Sequence, residues 1–498
     1  MMNDNFFALG LIFWFGLIFF AYAVRPSSKI HRVTVSEIKF REKIVLTSVI
    51  AILIAILTIP MSWNPCWNGE KHLYHNLYQE LTDAFLNGQL YLKIPVEPRI
   101  LAMENPYDYQ ARESLGLLED IDYQWDHALY NGKYYVYFGV FPVLTTFLPY
   151  KLLFGEHLPP YVATQIFSAT FTVGMFAFLL ILAKKFFPRM KFSVFLTSAT
   201  ALTLICISHC TEAPALYCTA SAAGLSCEIW SLCLFFAAIN DNSAKKLFFG
   251  ALFGALAFSC KPTIALANLL LIPLLPMIFA QKNAPKIFLT LFLPYFVVGL
   301  ALMTYNFLRF DDPFQFGQIY QLTIADHHNF GNFSERFSIS KQIDGFLVNF
   351  FGIRSEIIIT DDKPPGVFAH YVILWLPIIF VRKKFFNALS ERNLVFFAIF
   401  LLITPILITA TQIHWAVFLI ERYRLEIYWL LAILAFIALG CASETVKSQK
   451  FYFAACILAL ITVFQCANLF FVPNDENFAE IYPELRPTLE KILTLGLQ

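Results

Sequence analysis

Apolar runs of about twenty residues, broken by short charged loops, recur along the whole chain, and a run of that length can cross a bilayer as a helix. They predict spans near 6–24, 43–62, 161–183, 192–210, 214–239, 247–260, 262–280, 286–306, 367–381, 394–411, 426–440 and 451–472. Two stretches do not fit the spanning pattern. Residues 73–86 carry apolar or aromatic side chains at 73, 74, 77, 78, 81, 84 and 85, the spacing of a helix with one apolar stripe, and Gly88 follows as a stop. Such a helix is expected to lie flat at the membrane surface. Residues 93–122, rich in proline and acids, read as irregular chain, and the tail of 123–154 reads as a juxtamembrane or re-entrant helix.

Composition removes the soluble alternatives. Of 498 residues 58% are hydrophobic, 14% are charged and 55 are phenylalanine, against roughly 45–50% apolar and about 25% charged in soluble domains. The fold class expected is all-α, a polytopic membrane protein of about twelve spans. Loop charge then sets its orientation. The loops 25–43, 184–191, 240–246, 281–286, 382–392 and 441–450 hold 20 of the 36 Lys and Arg but five of the 35 acids, which places them in the cytoplasm. The first run lacks a preceding Lys or Arg and is followed by Arg25, so it is expected to be retained, with the N-terminus outside. The expected organisation is two spans in 1–62, a large outer loop at 63–160, a bundle at 161–306, a second outer loop at 307–366, further spans in 367–472 and an outer tail at 473–498. A net charge of +1 points to no nucleic-acid partner, and nine of the ten cysteines fall in or beside apolar runs, as core residues do.

Long loops on one face distinguish this pattern from a transporter, which usually has short loops on both faces and paired repeats. A transporter or flippase remains the main alternative. An O-antigen polymerase or ligase is another, although its main loop would come late in the chain.

The first outer loop also carries a resemblance. Gly69-Glu70 follows a span, the interfacial helix ends at Asn87-Gly88, an aromatic-flanked turn follows at Tyr130-Asn131-Gly132-Lys133-Tyr134-Tyr135, and a helix closes in Leu153-Phe154-Gly155. This order resembles the first outer loop of the GT-C superfamily of integral-membrane glycosyltransferases, in particular its aminoarabinose- and mannosyl-transferring branches. Residues 254–263 (GALAFSCKPT), 305–317 and 421–430 are similar to further segments of GT-C-like proteins. The resemblance implies a GT-C-like fold and transfer of a sugar from a polyprenyl-phosphate donor to a glycan, lipid or protein acceptor. The outer, periplasmic face of a bacterial inner membrane is the implied place. It also implies that an acid at the start of the loop activates the acceptor, which points to Glu70, although the family's usual Asp-Glu pair is here Gly69-Glu70.

The chemistry narrows the candidates. A hydroxyl attacking an anomeric carbon needs a base, and Glu70, Asp83, Asp122 and Asp126 are the loop acids considered, Glu70 and Asp126 foremost. The departing lipid phosphate wants fixed cations. Lys261 interrupts a long apolar stretch and is followed by Pro262, while Arg309, Arg422 and Arg424 sit at outer span ends and Lys133 in the tyrosine-rich turn. Snorkelling or interfacial anchoring is the bland reading of each. Tyr74, Asp122 and Tyr134 are candidate substrate contacts, with Tyr135 and Tyr137 in the same aromatic group. Glu228, inside an apolar run, is either functional or a hydrogen-bonded structural carboxyl. His72 and His75 share a helix face, but a metal site would need a third ligand in register, so no metal ligands are assigned and a divalent cation is left open. The second outer loop, with Asp311, Asp312, Gln315, Gln318 and His327-His328, is expected to roof a cavity.

Overall fold

The computed structural model describes residues 18, 21–63, 77–118, 121–137, 139–212, 214–280, 284–329, 337–353, 366–415 and 421–471. Most of the expected span 6–24, the tail after 472, and Cys66, Glu70, His72, Tyr74 and His75 lie outside them.

Regular structure is almost entirely helical. The main elements are α1 (Phe40–Trp63), α2 (Leu77–Leu86), a hairpin of β1 (Ala128–Tyr130) and β2 (Lys133–Tyr135), α3 (Val140–Phe154), α4 (Pro160–Phe186) and α5 (Phe192–Ile207). They continue with α6 (Tyr217–Asp241), α7 (Ala244–Cys260), α8 (Ile264–Phe279), α9 (Ala284–Phe310) and α10 (Ile339–Phe351). The last are α11 (Val372–Val381), α12 (Val395–Trp415), α13 (Glu421–Thr445) and α14 (Gln449–Phe471). Seven of these, α1, α4, α6, α9, α12, α13 and α14, are long and apolar enough to cross a membrane. The runs 192–210, 247–260, 262–280 and 367–381 form shorter helices, and α11 and most of α8 wind as 3-10 helix.

Helix α13 forms the axis of the bundle. From Arg424 to Ser443 every residue is buried, and the helix packs against α4, α5, α6, α11 and α12. Small residues permit this: Phe187 lies so close to Gly440 that a methyl group there would collide with its ring. The outside has the opposite character. On α9 the rings of Phe288, Phe292 and Phe296 stack one turn apart at 5.7 and 5.5 Å, with Phe288 and Phe296 more than half exposed. A face of that kind suits lipid rather than water.

One expectation for the loop is corrected. Residues 93–122 are not wholly irregular, since short helices form at Pro98–Leu101 and Tyr109–Ser114; Asp108 caps the second by accepting from the Gln110 and Ala111 amides. The architecture fits the all-α class, with one short hairpin among the described residues. The Asn131-Gly132 turn, with φ of 48° and 69°, closes a two-residue hairpin, the geometry that an Asn-Gly pair adopts with least strain. Helix α2 buries Leu77, Tyr78, Leu81 and Ala84 and stops where Gly88 turns left-handed at φ 69°.

Candidate functional site

The two long loops form one cap over the end of the bundle. Ala128 pairs antiparallel with Gln321 next to the hairpin, the Asp126 amide donates to the Leu322 carbonyl at 2.9 Å, and the Leu322 amide donates to the His127 carbonyl at 3.0 Å. The fully buried Arg112 donates to the Pro106 carbonyl at 2.6 Å and to the Thr323 carbonyl at 2.7 Å. Asn105 donates to Asp326 at 2.6 Å and Tyr130 to Asp311 at 3.1 Å. The second loop thus extends the first loop's hairpin.

Asp126 sits at this seam. It is 8% exposed, its backbone is left-handed at φ 55°, and its Oδ1 accepts from Gln321 Nε2 at 2.7 Å. A non-glycine residue held there costs about 1–3 kcal/mol and persists only where its surroundings fix it. Beside it His127 is kept neutral. Burial pushes its imidazole down to about 4, and Nδ1 engages the Trp125 carbonyl at 2.7 Å.

Tyr137 connects the cap to the membrane helices. Burial holds its phenol well above the ordinary value, nearby Asp126 adds to the shift, and Arg422 opposes it. Tyr137 also lines a narrow cleft together with Ser259, Pro262, Tyr305, Asn306 and Arg309. Arg309, 4% exposed at the end of α9, donates to the Val136 carbonyl and, at 2.7 Å, to Asn306. Its guanidinium lies 3.9 Å from the Tyr305 ring centroid, and its Nε has no hydrogen-bond partner among the described residues.

Two more cations stand at the same end of the bundle. Arg422 stacks on Tyr217 at 3.6 Å, and Tyr217 follows Leu216, whose strained backbone (φ 45°) is tied down by a 2.8 Å hydrogen bond from Tyr78. Lys261 caps α7, with Pro262 ending the helix. Its Nζ lies 2.5 Å from Glu426 Oε1 and 5.3 Å from the Tyr423 ring. Cys218, at the start of α6, lies within electrostatic reach of His209, Arg422 and Lys261 together.

The structure therefore brings Asp126, Arg422, Lys261 and Arg309 to one region around Tyr137. It places Arg424, Lys133, Asp122, Tyr134 and Asp83 outside that group. Arg424 points from the opposite side of α13 to donate to Asn349 of α10 at 2.9 Å, and Lys133 stands exposed on the hairpin, 4.2 Å above the Tyr91 ring. Asp122 is engaged by Arg99 at 2.9 Å and by the Leu118 amide at 2.8 Å. Tyr134 is buried edge-on to His127 at 6.1 Å, and burial pushes its phenol up to about 12. Asp83 lies 3.2 Å from His157. Tyr134 and Asp122 thus help to build the cap.

Sequence reasoning passed over several residues. Gln321 carries no motif. Glu80, on α2, is pushed up to about 7, by burial first and by Asp83 second, which is the range a general base needs. Glu426 stands at the charged edge of an apolar run, two residues after Arg424, where an acid draws no attention.

Glu228 sits in a separate cluster deep in the bundle. Asn268 Nδ2 donates to Glu228 Oε1 at 2.7 Å and lies 3.0 and 2.9 Å from the Gly254 and Ala265 carbonyls, while Tyr295 donates to the Asn268 carboxamide oxygen. Among the described residues no group of three His, Cys, Asp or Glu could hold a metal ion, and the nine described cysteines are free and buried.

No family model matches the chain, and no curated protein or solved structure matches it either.

Proposed function

We propose that this chain is an integral-membrane glycosyltransferase of the GT-C kind, moving a sugar from a polyprenyl-phosphate carrier to a glycan, lipid or protein acceptor at the outer face of a bacterial inner membrane. The observation that carries the reading is the meeting of a buried carboxylate, Asp126, with the cations Arg422, Lys261 and Arg309 around Tyr137, under a cap made by both outer loops. In the reaction the acceptor hydroxyl attacks the anomeric carbon. Its proton passes to a carboxylate, Asp126 or Glu70, and the bond from the anomeric carbon to the phosphate oxygen breaks with its electron pair on the lipid phosphate. Fixed cations at the cleft lower the cost of that new charge.

Twelve spans belong to the same reading. Among the short helices α8 is long enough, because a 3-10 turn rises farther per residue. The eleven 3-10 residues Ile264–Leu274 and the five α-helical residues Leu275–Phe279 of α8 reach about 30 Å at roughly 2.0 and 1.5 Å per residue, the thickness of a hydrocarbon core.

Lipid and glycan analysis of cells with and without the gene tests the function. The reading expects the deleted strain to accumulate a polyprenyl-phosphate sugar and its envelope glycan to lose that sugar. Unchanged lipids and glycans would favour transport.

A further inference from the structure

The Lys261–Glu426 pair has an unusual placement for a structural salt bridge. The carboxylate side chain is fully buried, at 0% exposure, while the lysine side chain retains 13%, and Ser259 and Pro262 on either side of the lysine line the cleft. The two groups are close, at 2.5 Å, yet neither Glu426 oxygen makes a well-aligned hydrogen bond among the described residues. The lysine is held by charge, at the end of a flexible stem, with its ammonium near the Tyr423 ring face. A buried ion pair contributes little net stability, because desolvation of both charges offsets their attraction. Removing the lysine's partner alone would leave an uncompensated cation beside the cleft.

We propose that Glu426 is the resident counterion of Lys261 and that the phosphate of an incoming lipid takes its place. In the empty protein Glu426 neutralises a cation that the membrane interior would otherwise penalise. A phosphate entering the cleft, already attracted by Arg309 and Arg422, offers Lys261 a second anionic partner, and the stem swings toward it. Glu426 is then a positioning residue that competes with the ligand and sets how tightly the phosphate is held. A site that releases its product lipid needs such a limit, since binding the phosphate too strongly would slow turnover. This inference rests on Lys261 being a phosphate contact.

The direction of the effect separates competition from scaffolding. If Glu426 competes, neutralising it strengthens phosphate binding; if it only positions the lysine or staples α7 to α13, neutralising it weakens binding or leaves it unchanged. The experiment titrates the full-length protein in nanodiscs with a polyprenyl monophosphate, followed by native mass spectrometry, with the uncharged polyprenol as the control. Lys261→Met is expected to weaken monophosphate binding roughly tenfold, as loss of a charged contact does. Glu426→Gln is expected to tighten it by about the same factor, and neither variant should change polyprenol binding. Glu426→Asp, which draws the carboxylate back by one methylene and keeps the charge in the bundle, should tighten monophosphate binding in the same direction and serves where the glutamine variant does not fold. Weaker or unchanged binding in the Glu426 variants, with Lys261→Met impaired, overturns the competition and leaves the phosphate site standing. Unchanged binding in Lys261→Met overturns both.

Discussion

Gln321 donates its side-chain amide to Asp126 Oδ1 at 2.7 Å, so a carboxylate on the first long loop is held by a residue of the second. The contact joins segments far apart in sequence, and the paired backbone of Asp126, His127 and Leu322 surrounds it. Gln321→Leu removes a buried hydrogen bond to a charged acceptor and should cost about 1.5–3 kcal/mol. The check is thermal unfolding in detergent combined with hydrogen exchange. Exchange should rise in 105–130 and in 311–326 together, since the two segments form one unit; loosening of one loop alone would contradict the shared cap.

Gly254→Ala probes the polar cluster within the bundle. A methyl group at Gly254 would collide with the Asn268 carboxamide oxygen and stand 2.5 Å from the Tyr295 hydroxyl. Overpacking of this kind costs about 1–3 kcal/mol, so the midpoint of thermal unfolding should fall. An unchanged midpoint would mean that the cluster adjusts freely.

Glu228 accepts a hydrogen bond from Asn268, and Asn268 in turn is held by Tyr295. Glutamine at 228 keeps an acceptor oxygen where the carboxylate had one. Glu228→Gln should therefore fold and complement a deletion, whereas Glu228→Leu, which takes away one of three acceptors near the Asn268 amide, should lose about 0.5–1.5 kcal/mol of stability. Failure of a well-folded Glu228→Gln protein to complement would instead assign Glu228 a titrating role.

Glu80 gives a pH signature of defined sign. Its folded pKa is raised from 4.5 to about 7, so the native state holds the proton more tightly than the unfolded chain does. Its contribution is therefore fully present below pH 4.5 and is lost as pH rises toward 7. The difference in unfolding midpoint between Glu80→Gln and the wild type should grow in favour of the variant across that window. A difference that stays flat would show that Glu80 is not desolvated.

Local features were legible in the sequence. Gly88 after an apolar stripe marked the end of α2, the Asn131-Gly132 pair sat in what proved to be a hairpin turn, and Pro262 marked the break after Lys261. Each depends on backbone chemistry within a few residues. The Asp108 cap was equally local but was hidden by the proline and acid content around it. The pairings that build the candidate site had no such signal. Nothing near Asp126 names Gln321, and nothing near Arg424 names Asn349, because those partners are chosen by the packing of distant helices and loops. Lys261 is intermediate: it was conspicuous as a charge in an apolar run, and the cost of an unpaired charge was reason to look for a partner, whereas Glu426, at the charged edge of its own run, did not stand out.

The meeting of Asp126 and the cations around Tyr137 is the centre of the account, and complementation by Asp126→Asn tests it most directly. The variant protein would be expressed in deletion cells at the wild-type level, its thermal unfolding confirmed, and the polyprenyl-phosphate sugar and the envelope glycan measured. The account predicts a folded protein with the lipid still accumulated and the glycan still lacking its sugar. Full restoration of both by Asp126→Asn would contradict it and move the reacting carboxylate away from this site, to Glu70 first.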